Sequence, residues 1–473
     1  MVDDWLGIAK KGADMKFASS TKHSWGKTSD LTFWFSLPDI CHVLVEKVSL
    51  LLVINFVLQL SVAADDWPQW RGLNRDGNWF ETGIIEEFNE FQPEIQWRIP
   101  IGSGYSGPTV AGGYVYLADR VASPVQVERV HCFDSKTGAL IWSFKYECIY
   151  KNVDYVAGPR ASVTINDGLA YALGTMGHLH CFNAVTGEVL WKKNLNYDYN
   201  IRMPVWGISG SPVIEKDLVI VQIGGTPEAC IVGLDRRTGE ERWTALADRA
   251  SYSSPIVIDQ ADKRVLVCWT GDNVVGLNPQ DGQQYWKYPF PPSRMVIGIA
   301  TPVFYNHQLL ISDFFEGTLL LNVEPDRLAV QKIWHRKGAD EINTDCLHSI
   351  ISTPIYIGDH IYGVDSYGEV RCIEASSGDR IWEDLTIVPK ARWSTAHFVK
   401  NRDKVWIFNE RGELLLCTLS PQGAEVIDRM QLIQPTKDQL NRRGGVCWSH
   451  PAFAYKCVFV RNDQELLCAS LEK

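Results

Sequence analysis

The groups best suited to chemistry lie in polar segments between apolar runs: Arg160; Arg202 with Trp206; Asp345 with His348; Arg392, Trp393 and His397; Arg442, Arg443, Trp448 and His450. A guanidinium can fork onto a carboxylate, and an indole offers a flat face to a ring or a sugar. Arg160, Trp206, His348, Arg392, Trp393 and His450 would together make a cup for a planar anion or a carbohydrate. The plainer expectation is that these groups hydrogen-bond loop backbone and face solvent. No Gly-x-Ser-x-Gly nucleophile motif, Cys-x-x-Cys-His haem motif or His/Cys zinc spacing occurs in the chain. Binding is therefore expected before catalysis, with no catalytic residue and no metal ligand assigned.

Twelve cysteines could carry redox or metal chemistry. Cys132, Cys181, Cys372 and Cys417 occupy a recurring position where Gly233 and Gly276 stand in other copies. A site that accepts Cys or Gly selects small size, so these thiols read as small buried hydrophobes. Cys447 and Cys457 are the candidate disulfide pair. The net charge of −10 argues against nucleic acid, which needs a basic footprint.

The elements that must position these groups are repeats. Cys132 to Trp142 reads Cys-Phe-Asp-Ser-Lys-Thr-Gly-Ala-Leu-Ile-Trp, and Cys181 to Trp191, Gly233 to Trp243, Gly276 to Trp286 and Cys372 to Trp382 fit the same frame. Each has a small residue six positions before a glycine and a tryptophan four positions after it. Alternating apolar residues predict a half-buried strand. The Asp or Asn and the Thr-Gly are turn chemistry, the glycine supplying positive φ. Every copy is then a hairpin whose last strand delivers an indole. Burying about 200 Å² of ring at about 25 cal/mol/Å² is worth roughly 5 kcal/mol gross.

Short Ser/Thr-Pro segments (Ser211-Pro212, Ser254-Pro255, Thr301-Pro302, Thr353-Pro354) open each unit. Units start near residues 106, 158, 209, 252, 299, 351, 395 and 449. Four strands per unit at this spacing predict an all-β, eight-bladed propeller, with seven blades as the alternative. The fifth unit has Arg327 for the glycine and a late Trp334; the seventh has Ile427 for tryptophan. The eighth ends after three strands, and the segment around Trp97 is expected to supply its outer strand and close the ring.

The pattern Asp-x-x-Thr-Gly-x-x-x-Trp resembles the quinoprotein, or PQQ-like, propeller repeat over residues 65–473. Trp67-Pro68-Gln69-Trp70-Arg71-Gly72 is similar to the opening of exported bacterial PQQ-like proteins. The resemblance implies blade-to-blade docking by Trp97, Trp142, Trp191, Trp243, Trp286, Trp334 and Trp382. The family includes dehydrogenases that hold pyrroloquinoline quinone and calcium on the axis, and cofactor-free scaffolds such as the outer-membrane assembly propeller. The dehydrogenases use adjacent cysteines, and no Cys-Cys pair occurs here. The resemblance therefore implies a cofactor-free binding scaffold for an envelope protein or polymer, with a PQQ- and calcium-dependent alcohol or sugar dehydrogenase as the alternative.

Residues 45–64 combine Lys47, an apolar run and Ser-Val-Ala-Ala, which reads as a signal peptide cleaved near Ala64. Export to the periplasm or beyond, without a membrane span in the mature chain, is the expectation. Residues 1–44 read as a non-native or disordered extension that begins at a mis-assigned start, Met1, residues 65–93 as a strap packed on the body, and residues 94–473 as the propeller.

Overall fold

The computed structural model describes residues 66–88 and 92–473. The extension and signal peptide read into residues 1–64 lie outside the described residues. Eight four-stranded antiparallel sheets form a ring, an eight-bladed β-propeller and not the seven-bladed alternative. Seven blades are continuous in sequence: residues 109–147, 164–194, 213–245, 256–289, 303–336, 355–384 and 396–431. The eighth takes three strands from residues 452–470 and its outer strand from Glu94–Pro100, which pairs antiparallel with Glu465–Ser470, Trp97 opposite Cys468. Closure joins the two ends of the described chain.

The repeat has a local and a long-range cause. Locally, Asp134 Oδ1 accepts from the N–H groups of Lys136 and Thr137 (3.0 and 2.8 Å), and Gly138 sits at φ 70°. That turn reverses the hairpin. At long range, the turn receives the preceding blade's tryptophan. Trp97 Nε1 donates to Ser135 O (3.0 Å), Trp142 to Ala184 O (2.8 Å), Trp191 to Arg236 O (3.1 Å), Trp243 to Pro279 O (3.1 Å), Trp334 to Ala375 O (2.9 Å) and Trp382 to Ser420 O (2.8 Å). Trp286 reaches the next blade through Gln260, which accepts from the indole (2.9 Å) and donates to Ala329 O (2.7 Å). A Cβ on Gly187 would lie 2.6 Å from the Trp142 ring, so glycine is needed for close approach as well as for φ. Ile427, where the seventh blade lacks its tryptophan, packs against the core of the closing blade.

The small residue opposite each tryptophan is explained the same way. Cys132 pairs with Trp142 and Gly233 with Trp243, and a Cβ on Gly233 would come within 2.3 Å of the indole. All eleven described cysteines are free thiols. Burial pushes Cys132, Cys181 and Cys417 up to about 12. The candidate pair of Cys447 and Cys457 is not formed: both are free thiols, and Cys447 Sγ points to Gln434 O (3.7 Å).

The Ser/Thr-Pro segments tie the innermost strands together. Ser162 N donates to Ser211 Oγ (3.0 Å), Ser211 N to Ser254 Oγ (3.0 Å) and Thr301 N to Thr353 Oγ1 (3.1 Å). Each hydroxyl thus satisfies an inner-strand N–H of the preceding blade, which would otherwise be orphaned. The strap crosses the ring on the side of the inner hairpin turns: Trp67 and Val110 exchange backbone bonds (2.8 and 2.9 Å), and Lys400 N donates to Gly77 O (2.9 Å). Its Arg75 enters the channel and donates to Pro212 O and Pro255 O. Burial alone lowers that guanidinium to about 9.

Candidate functional site

The loops that lead from each outer strand into the next blade converge on the opposite side and enclose a cavity of about 130 Å³. Every blade contributes from one repeat position, three residues before the Pro of the Ser/Thr-Pro segment or its equivalent. Those residues are Tyr105, Arg160, Ser209, Tyr252, Ile299, Ile351, Trp393 and Trp448. Seven are uncharged, and Arg160 is the exception. Trp70 rises from the strap as a floor, its Nε1 donating to Thr301 Oγ1 (2.7 Å) and its ring meeting His450 edge-on at 4.4 Å.

Aromatic rings crowd the cup. Tyr155 packs on Trp206 (5.8 Å), Trp393 (5.9 Å) and Trp448 (6.2 Å), and Trp206 on Tyr252 (4.9 Å). Tyr155 and Trp393 both hold positive φ, 56° and 67°. Bulky residues rarely adopt that conformation, and such backbone concentrates at functional sites.

Of the six cup residues inferred from sequence, Arg160, Trp206, Trp393 and His450 line the cavity. Arg160 spends its donors on loop backbone, Gly158 O at 2.5 Å and Asp154 O at 3.0 Å, and lies over the Tyr105 ring at 5.0 Å. Its hydrogen bonds go to uncharged oxygens. His348 is elsewhere: it is fully buried, Nδ1 donating to Phe314 O (3.0 Å) and Nε2 accepting from Gly338 N (3.1 Å). Arg392 is also outside the lining. It forks onto Glu341 (2.6 and 3.0 Å) and covers Trp393 from behind at 4.6 Å. Of the other loop groups, His397 and Trp448 join the lining. Arg443 pairs with Glu410, whose Oε2 also accepts from Trp448 Nε1 (3.2 Å), so this buried carboxylate orients the indole.

The two cup histidines are neutral. His450 Nδ1–H donates to Pro451 O (3.0 Å), leaving Nε2 to accept from the Ser162 hydroxyl (2.7 Å); His397 Nε2–H donates to Trp448 O (2.9 Å). Burial pushes His450 down to about 3 and His397 to about 4. Because both folded values lie below the unfolded one near 6.5, protonation favours the unfolded chain. Their stabilising effect is full above about pH 6.5 and is lost as pH falls toward 4 and 3. The imidazole resonances of His397 and His450 are expected to stay flat from about pH 8 to 5. Titration near pH 6.5 would show the cup is open to water.

The residues present do not fit calcium with a quinone. Calcium takes oxygen ligands, chiefly carboxylates, and the cavity lining includes no Asp, Glu, Asn or Gln. The arrangement offers stacking faces, five hydroxyls (Tyr105, Tyr155, Ser209, Tyr252 and Ser254) and one guanidinium.

A sequence profile of the family described as outer membrane protein assembly factor BamB matches residues 126–384. The outer membrane protein assembly factor BamB of Burkholderia pseudomallei (strain K96243) is 23% identical over 305 residues, covering 62% of this chain and 61% of its own length. The chain thus spans less than two thirds of that relative. Among solved structures, BamB from Moraxella catarrhalis superposes with a TM-score of 0.57 at 13% identity, over 80% of this chain and 100% of that one. A europium-containing methanol dehydrogenase gives 0.64 at 12% identity, over 88% and 100%. The quinohemoprotein alcohol dehydrogenase from Comamonas testosteroni gives 0.62 at 12%, over 88% and 82%. At these identities the structural likenesses show the fold, which scaffolds and dehydrogenases share.

Proposed function

Because the chain belongs to the family described as outer membrane protein assembly factor BamB, we propose that it is an exported, non-catalytic propeller scaffold that binds a protein or polymer of the cell envelope. Family membership carries this reading. The site chemistry supports it: the cup histidines are neutral and bonded to backbone, and the guanidinium that faces the cavity is engaged with carbonyls. No helix of the described residues is long and apolar enough to cross a membrane. Export rests on the residues 45–64 signal and on the envelope name of the relatives.

The test is a photo-crosslinking residue at Arg442, an exposed rim position, with products identified by mass spectrometry. Crosslinks to one envelope component, reduced at least about tenfold by Trp206→Ala with Trp393→Ala, are expected. Recovery of no envelope component would overturn the reading.

The crowded aromatic cup favours one further reading, capture of a planar anion or a sugar against Trp206 and Trp393 with Arg160 turned from backbone to ligand. Arg160→Gln would then weaken a small carboxylate ligand by about tenfold. Equal affinity for the two forms, by calorimetry, would remove Arg160 from the site.

A further inference from the structure

We propose that the chain holds a single inorganic anion of halide size in a chamber between the strap and the inner edges of the sixth, seventh and eighth blades. The chamber has a volume of about 20 Å³, and one water needs about 10–15 Å³. Trp67 and Arg71 of the opening Trp-Pro-Gln-Trp-Arg-Gly segment line it, together with Thr353, His397 and His450. No Asp or Glu belongs to the lining. Trp70, His397 and His450 border both this chamber and the cup, and so form the wall between them.

Arg71 is a buried cation short of partners. It is 8% exposed and makes one hydrogen bond among the described residues, from Nη2 to Asp76 O (2.9 Å). The Asp76 carboxylate acts on it only at a distance, because its two oxygens accept from Asn78 N (3.0 Å) and Asn78 Nδ2 (2.7 Å). Arg75 and Arg461 are buried as well, but each donates to at least three oxygens: Gln69 Oε1, Pro212 O and Pro255 O for the first, Gly102 O, Ala118 O and Asn462 O for the second. A guanidinium carries five N–H donors and no acceptor. Burial lowers Arg71 to about 10, which leaves it charged at neutral pH. A buried charge with unused donors is costly until something negative answers it.

Two neighbouring groups are donors of the same kind. Trp67 is buried, and its Nε1–H has no acceptor among the described residues. An indole N–H can only donate. Thr353 Oγ1 accepts from Thr301 N (3.1 Å), which leaves its O–H to give. The strap backbone is bent to bring the cation in: Arg71 holds φ 60° and Gly72 φ 83°. A long side chain rarely adopts the first of these, and such strain concentrates at functional positions. One cation, one indole N–H and one hydroxyl, in a lining free of carboxylates, favour an anion over a neutral water.

Sodium bromide is the probe. The full chain is crystallised in bromide, and data are collected at the bromine absorption edge. An anomalous peak within hydrogen-bond reach of Arg71 is expected. In solution, melting temperatures in bromide are compared with those in gluconate, an anion too large for the chamber, at equal ionic strength. A saturable rise of about one or two degrees is expected in bromide. Arg71→Gln should weaken bromide by at least about tenfold, and Trp67→Phe, which keeps a ring and drops the N–H, by a few-fold. No anomalous density at Arg71 in saturating bromide, bromide at surface positions alone, or a saturable rise that Arg71→Gln leaves unchanged would each overturn the proposal. The wild-type anomalous map decides the matter even where a variant fails to fold.

Discussion

Replacing Trp243 with alanine lowers the stability of the folded chain by about 3–5 kcal/mol, among the larger single effects a core substitution produces. The indole is buried, and its Nε1 donates to Pro279 O at 3.1 Å. Glycines approach it from two sides. Gly282 of the next blade sits where a Cβ would lie 2.6 Å from the ring, and Gly233 of its own blade where a Cβ would lie 2.3 Å away. Glycines have no side chain to swing into the vacated space. The cavity therefore stays open and the carbonyl of Pro279 loses its donor, so transfer and cavity costs add. Urea midpoints of the wild type and Trp243→Ala check this, with Trp334→Ala as the comparison. Trp334 is only half-buried, so its loss costs less. An unchanged midpoint for Trp243→Ala would refute the assignment of the indole as a joint between blades.

Deleting residues 66–100 has the second large effect. The deletion removes the outer strand of the closing blade, Trp97 with its bond to Ser135 O (3.0 Å), and the strap whose Arg75 enters the channel. It also uncovers the edge of Glu465–Ser470, a row of unpaired N–H and C=O groups that invites pairing with other chains. The loss should exceed the roughly 3–5 kcal/mol of a single tryptophan. Multi-angle light scattering is expected to show species of higher mass than the intact chain gives. The mass and melting curve of the intact chain, unchanged after the deletion, would mean that closure contributes nothing.

The propeller was legible because its code is local and repeated. Asp134, Thr137, Gly138 and Trp142 sit within nine residues, and the hydrogen bonds of the turn explain their types. Even the eighth blade could be completed from Trp97, since the strand lacked a hairpin of its own. The cup was only partly legible. The position three before each proline was open to reading, as Tyr105, Tyr252 and Trp448 show, but it varies from Tyr to Ser to Ile, so its type carries no motif. Direction was the harder part. His348 is held inside its loop by Phe314 O and Gly338 N, and Arg392 is drawn away by Glu341, fifty-one residues earlier. Trp70 depends on the path of the strap through the ring, which leaves no mark in the neighbouring sequence.

The most direct test of the scaffold reading is calorimetry of the chain from Asp65 onward with pyrroloquinoline quinone and calcium, followed by dye reduction with a panel of alcohols and sugars. A lining of aromatic rings without carboxylates predicts no saturable heat at high micromolar quinone and no dye reduction. Tight binding with turnover would contradict that account and make the cup a catalytic site.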